Sequence, residues 1–284
     1  MSFPSEKRVA VLGLGIIGSR ACSRLSDAGW QVTCWNRTPK GVTGETATPE
    51  AAVEGAPIIS IYLKDVPAVR QVVGRIEGFL KAGQIVLNHA TLDLETTMWL
   101  EKICLARGCR FLDAPFTGSK TASADGQLVY YIGGDAGLAN ELEPYLGVTS
   151  KGRLVCGEVG AATVVKLATN LISACTVQAL AESLAIATSH GVSADRLIQA
   201  VSGHGCASAL IGMKLPAMAA GNFETHFSLS NMGKDTRYML ALAESSGLQT
   251  PAIAAVSKRM EELDAAGLGD LDFSAVVKPY LQTG

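Results

Sequence analysis

From residue 8 to about residue 155 the chain alternates short, continuously apolar runs with stretches of helical periodicity. The runs are RVAVLG (8–13), QVTCW (31–35), PIISIY (57–62), QIVLN (84–88), RFLDA (110–114) and QLVYYIGG (127–134). Strands without a polar face need cover on both sides, so the pattern predicts a parallel sheet wound on both faces by helices. After Cys156 the strand signals stop. Helical patterns follow at 160–189, 193–203, 207–220, 228–246 and 251–266, the second opened by Ser193 as N-cap and closed by Gly203. The expected fold class is α/β. A doubly wound domain over 1–157 should be followed by an all-α domain over 158–284, and the long helix near residue 160 should carry the chain from one to the other.

Between the first strand and its helix stand Gly13, Gly15 and Gly18 in G-x-G-x-x-G spacing, with Ile16 and Ile17 opening the helix. Such spacing lets the first glycine turn tightly, the second admit a pyrophosphate to the backbone, and the third bring helix against strand. A Rossmann-type dinucleotide site over Gly13–Gly18 is the expectation. The second strand ends in Asn36, Arg37 and Thr38, with no carboxylate before Glu45. A guanidinium and a hydroxyl suit a 2′-phosphate where an acidic residue would repel it, so NADP(H) is expected over NAD.

The stretch GAATVVKLATNLISACTVQALAESLAIA (160–187) is almost wholly apolar, yet it carries Lys166 and Asn170 one helical turn apart. Desolvating an ammonium is costly, so a buried helix that keeps one usually pairs or uses it. A second polar candidate is DAPFTGSKTASADGQL (113–128), where Thr117 and Gly118 should form a turn at the carboxyl edge of the sheet. Gly118 and Gly126 should bracket a Ser/Thr/Lys-rich loop able to bind a carboxylate.

Composition narrows the partners. Net charge is −2 with no long basic run, which argues against nucleic acid. The seven cysteines are scattered and the four histidines show no ligand spacing, so reduced thiols and no metal are expected. Lys166, Asn170, Gln178 and Glu182 interrupt the 160–187 helix in a way that argues against a membrane span. MSFPSEKR runs directly into the first strand without a secretory h-region, so a cytoplasmic protein is expected. The apolar circumference of the long helix exceeds what one small domain covers, which predicts a homodimer or homotetramer.

Taken together, GLGIIG, DAPFTGSKTASADGQL, GAATVVKLATN and FSLSNMGKD, in this order, resemble the motif regions of the β-hydroxyacid dehydrogenase family, and the likeness covers essentially the whole chain. The resemblance implies that Lys166 is the catalytic lysine and Asn170 its substrate-orienting neighbour. It implies substrate binding by Thr117, Gly118, Phe227, Lys234 and Asp235. It also puts Thr91 near the nicotinamide and brings Lys234 to the active site. APFTGSK departs from the APVSGG of 3-hydroxyisobutyrate dehydrogenases. Ser119-Lys120 and the NRT of the second strand look more like the glyoxylate and succinic semialdehyde reductases, although Phe116 fits neither, and NHAT replaces the common D-x-S-T. The expected function is therefore NADP(H)-dependent hydride transfer to and from a small carboxylic acid substrate. A 3-hydroxyisobutyrate dehydrogenase, an imine reductase-like enzyme, and a non-catalytic NADP-binding dimeric module are the alternatives.

Overall fold

A computed structural model describes residues 6–281. The first five strands, β1 (Arg8–Leu12), β2 (Gln31–Trp35), β3 (Ile58–Ile61), β4 (Ile85–Asn88) and β5 (Arg110–Asp113), are parallel in the order β2-β1-β3-β4-β5. Helices α1 (Ile16–Asp27), α2 (Pro49–Val53), α3 (Val66–Ile76) and α4 (Leu94–Ala106) alternate with them. Successive residues of a strand point to opposite faces, and here both faces are buried. Val9 and Val11 pack with Leu25, Trp30 and Tyr145 on one side. Ala10 and Leu12 pack with Val69, Val72 and Leu100 on the other. The order of strands reverses at β1, and the carboxyl ends there form the crevice in which such sheets hold ligands.

The sheet departs from the parallel expectation at its far edge. After β5 come β6 (Phe116–Thr117), α5 (Lys120–Ala124), β7 (Leu128–Gly133), α6 (Ala136–Glu141), α7 (Glu143–Thr149) and β8 (Ser150–Gly157). Strand β7 runs antiparallel to both β5 and β6, and β8 runs parallel to β7. Strand β8 was not expected from the sequence. Apart from Ser150 its residues are half-buried or exposed, and Leu154, Val155 and Cys156 are too short an apolar stretch to announce it.

The helical part comprises α8 (Ala161–Ser189), α9 (Ala194–Ser202), α10 (Ala209–Ala219), α11 (Leu229–Ser245), α12 (Pro251–Leu263) and α13 (Lys278–Leu281). Ser193 caps α9 by accepting from the Arg196 N–H, and Gly203 ends it, both as expected. Leu167, Val177, Leu184, Met232, Met260 and Val277 form its core. Inside that core Lys214 Nζ meets Asp272 Oδ1 at 2.7 Å. The same carboxylate accepts the N–H groups of His226, Phe227 and Ser274. A buried pair of this kind fixes a loop, and losing one partner costs about 3–5 kcal/mol.

The chain divides into two compact units, one ending at Lys166 and the other beginning at Leu167, so the division falls inside α8. By length and composition alone α8 could cross a membrane, and 33% of its most apolar 18 residues are buried. Ile172 and Ile186 are 64% and 63% exposed.

Candidate active site

The glycine turn after β1 separates what the fold needs from what a ligand needs. Gly13 has φ +104°, and a Cβ there would lie 2.6 Å from the carbonyl oxygen of Tyr62. A Cβ on Gly18 would lie 2.0 Å from the Gly13 carbonyl oxygen. Both glycines are therefore required by the packing of the chain on itself. Gly15 is different: its φ is −72° and nothing lies within 4 Å of a Cβ built there. A side chain would fit, and the open space over this backbone is what an approaching pyrophosphate requires.

Helix α1 starts at Gly15 without a side-chain cap, whereas α2, α3 and α4 are capped by Thr48, Asp65 and Asp93. The first-turn N–H groups of α1, from Ile16, Ile17 and Gly18, are thus left for an anion. Asn36 braces the turn. Its Oδ1 accepts from the Leu14 N–H at 2.9 Å and its Nδ2 donates to the Thr38 carbonyl at 2.7 Å. Arg37 and Thr38 follow it, both exposed. Glu45 accepts the N–H groups of Lys40, Gly41 and Val42, which, Lys40 foremost, hold its carboxyl below the usual range. The one carboxylate between Asn36 and Thr48 therefore serves its own loop.

Next to this turn an aromatic wall closes the carboxyl ends of β3 and β4. His89 stacks on Tyr62 with ring centroids 4.4 Å apart, and Tyr130 lies 4.9 Å from the His89 ring. Phe116 leans on Tyr62 and Tyr130 at 6.3 and 6.4 Å. The Tyr62 and Tyr130 hydroxyls are 2.8 Å apart, and Thr149 Oγ1 completes the chain at 2.9 Å. His89 Nδ1 is 2.8 Å from the Ala114 carbonyl, which can only accept, so Nδ1 carries the proton. Burial pushes the imidazole down to about 4, and the ring is neutral at pH 7. Thr91 follows, half-buried, in the same β4–α4 connection.

Thr117 is exposed on β6, opposite Val129. Gly118 has φ +141°, and a Cβ there would strike Leu128 Cδ2 at 2.7 Å. The expected polar loop after it is instead the short helix α5, capped by Ser119, which accepts from the Ala122 N–H. Arg24 of α1 donates to the carbonyls of Ala124 and Val148, bracing the segment from behind.

In the helical unit the predicted polar residues come together. Asn170 Nδ2 donates to Asp235 Oδ2 at 2.7 Å, and Lys234 Nζ lies 3.0 Å from Asp235 Oδ1. All three residues are buried. A carboxylate only accepts, so it is the amide nitrogen of Asn170, not its carbonyl oxygen, that faces Asp235. Lys166 is half-buried one turn earlier on α8, on the same face as Asn170. Phe227 belongs to a different cluster: its ring meets Phe273 edge-on at 6.0 Å and its N–H is held by Asp272.

Sequence reasoning passed over Asp113, although it ends an otherwise apolar strand and is fully buried. Its Oδ2 accepts both the N–H of Thr163 at 2.8 Å and the Thr163 hydroxyl at 2.9 Å. Burial raises this carboxyl to about 6, against the opposing pull of those two donors. Among the described residues no group of three or more His, Cys, Asp or Glu is placed to hold a metal ion.

A two-face α/β sheet with a ligand-ready glycine turn, followed by helices bearing a buried Asn–Asp–Lys cluster, defines a nucleotide-dependent class of protein, and comparison with known proteins narrows it. Residues 8–165 match the family described as the NAD binding domain of 6-phosphogluconate dehydrogenase, and residues 160–280 the one described as NAD-binding of NADP-dependent 3-hydroxyisobutyrate dehydrogenase. Glyoxylate/succinic semialdehyde reductase 1 of Arabidopsis thaliana is 30% identical over 280 residues, covering 95% of this chain and 97% of that protein. Cytokine-like nuclear factor N-PAC of Mus musculus is 31% identical over 283 residues, covering 98% of this chain and 52% of that protein. The chain thus spans about half the length of relatives of the latter kind. The structure of a Mycobacterium tuberculosis 3-hydroxyisobutyrate dehydrogenase with L-serine shares the fold, with a TM-score of 0.88 at 23% identity over 96% of this chain and 99% of that one. The chain belongs to the β-hydroxyacid dehydrogenase family, and its first domain is of the NAD(P)-binding kind.

Proposed function

We propose that this chain is an NADP(H)-dependent oxidoreductase that reduces small carboxylate-bearing aldehydes, of the glyoxylate and succinic semialdehyde kind, to the corresponding hydroxy acids. Lys166 is its general acid, and its general base in reverse. The observation that carries this reading is the buried Asn170–Asp235–Lys234 cluster on the two helices α8 and α11, with Lys166 one turn from Asn170. An apolar helix that keeps an ammonium and an amide on one face, the amide pinned by a buried carboxylate, is organised around a polar ligand.

When bound, NADPH supplies a hydride to the carbonyl carbon. Lys166 donates a proton from Nζ to the carbonyl oxygen as the C=O double bond opens, so no free alkoxide builds up. Asn170, fixed through Nδ2, orients the reacting oxygen and the lysine with its own carbonyl. Thr117 and the N–H of Gly118 bind the substrate carboxylate, and in the helical unit Asp235 keeps Lys234 in place. The first-turn amides of α1 would hold the pyrophosphate, Arg37 and Thr38 would receive the 2′-phosphate, and Thr91 would serve the nicotinamide end. Glu45 supports this coenzyme preference, because its charge is already engaged by loop amides.

The exposed apolar residues of α8, Ile172 and Ile186 among them, support assembly as a homodimer or homotetramer. Scattered free cysteines, four of them buried, support a reducing, cytoplasmic setting. A nucleotide-binding module without turnover is the competing reading. Initial rates with glyoxylate, succinic semialdehyde and 3-hydroxyisobutyrate, each with both coenzymes, decide between them. NADPH oxidation by the first two is expected. Coenzyme binding with no turnover of any acid would instead establish the module.

A further inference from the structure

General acid catalysis asks that Lys166 arrive in the same place at every turnover, and its helix follows a joint built from two glycines. Gly157 and Gly160 flank the entry to α8 with φ +136° and +92°, conformations that glycine adopts freely. The helix start is gripped from β5 instead. Asp113, fully buried at the end of that strand, accepts both the N–H and the hydroxyl of Thr163 in the first turn of α8. Thr163 Oγ1 also lies 3.0 Å from Thr97 Oγ1 of α4, itself buried.

We infer that Asp113 is a positioning residue for Lys166: by holding Thr163 through two hydrogen bonds it fixes the first turn of α8, and with it the lysine three residues on. The inference rests on the reading of Lys166 as the general acid. Three residues of helix advance about 4.5 Å, so an error in the first turn passes to Lys166 almost undiminished. A carboxylate is an expensive means of merely attaching helix to sheet, because apolar packing there does as well without burying charge. What the carboxylate adds is direction. Two donors from one residue converge on one oxygen, and the first-turn amides of the helix favour the negative charge. Displacements of about 1 Å at a reacting group are enough to lower a rate by up to about 10²-fold.

The test uses Thr163→Val, which keeps the shape and the N–H but removes the hydroxyl, and Thr163→Ser, which keeps both donors. With NADPH and succinic semialdehyde, Thr163→Val is expected to lower kcat about 10-fold, with KM for the aldehyde and Kd for NADPH within about twofold of wild type. Thr163→Ser should restore kcat. In a Lys166→Ala background Thr163→Val should have no further effect, because its influence runs through the lysine. Without any substrate, hydrogen exchange at 161–167 should quicken in Thr163→Val and not in Thr163→Ser. Unchanged kcat or unchanged exchange in Thr163→Val overturns the inference. So does a parallel loss of coenzyme affinity, which would mark a general structural role, or a further tenfold loss in the absence of Lys166. Failure of the Lys166 reading shows itself separately, as full turnover in Lys166→Ala alone.

Discussion

Asn170 Nδ2 and Asp235 Oδ2 are 2.7 Å apart, both buried, on the two helices that carry the polar residues of the helical unit. Because Asp235 also pairs with Lys234, one carboxylate sets the orientation of an amide and of an ammonium. Asp235→Ala strands both. The predicted cost is about 3–5 kcal/mol of stability, with kcat/KM falling by at least about 10²-fold. Urea melts and steady-state rates measure the two. Wild-type kinetics in a folded Asp235→Ala protein would contradict the cluster's role.

Gly15 and Gly18 should respond to alanine in opposite ways. Gly18→Ala drives a Cβ into the Gly13 carbonyl and should destabilise the domain by more than about 2 kcal/mol, in the range of overpacked cores. Gly15→Ala has room and an ordinary φ, so the melting curve should barely move while the Kd for NADPH rises about tenfold or more. Calorimetry and a fluorescence titration of NADPH separate the two effects, and unaltered coenzyme affinity in Gly15→Ala would argue against a pyrophosphate at this turn.

Arg37→Asp replaces the exposed cation after Asn36 with an anion. If the guanidinium meets a 2′-phosphate, losing a charge-assisted bond of about 1.5–3 kcal/mol should raise the KM for NADPH roughly 10- to 100-fold. NADH should become the better coenzyme. Equal use of both coenzymes before and after the change would show that the β2–α2 connection does not select.

Two buried groups give opposing pH dependences. His89, held down to about 4 from its ordinary 6.5, contributes stability that is present above pH 6.5 and lost as pH falls through 4. Asp113, raised to about 6 from 3.8, contributes stability that is present below pH 3.8 and lost as pH rises through 6. Each contribution is on the order of 3 kcal/mol in all, and between pH 4 and 6 the two slopes offset each other. His89→Phe should therefore make stability fall with pH across this window relative to wild type, and Asp113→Asn should make it rise. Urea midpoints at pH 4, 5, 6 and 7 check the signs, and parallel curves for all three proteins would refute the assignment.

The sequence made the glycine turn and the long polar-dotted helix legible because both depend on residues close together in the chain. Gly13, Gly15 and Gly18 lie within one turn, and Lys166 and Asn170 are related by helical period alone. What it concealed depends on distant pairs or on the backbone. Asp113 finds its partner Thr163 fifty residues away, a relation that no local spacing encodes. The three amides that engage Glu45 are backbone groups common to every residue but proline. Strand β7 reads as one more apolar run, and its reversed direction is set by the two-residue strand and short helix that precede it. Strand β8, half-buried or exposed apart from Ser150, offers only Leu154, Val155 and Cys156 as an apolar signal.

In the proposed function one amine, Lys166 Nζ, gives the proton that completes carbonyl reduction. Single-turnover reduction of succinic semialdehyde by Lys166→Ala, with NADPH affinity measured on the same sample, tests it most directly. The expected rate is about 10²- to 10⁴-fold below wild type with the Kd for NADPH unchanged. A wild-type rate in that variant would contradict it.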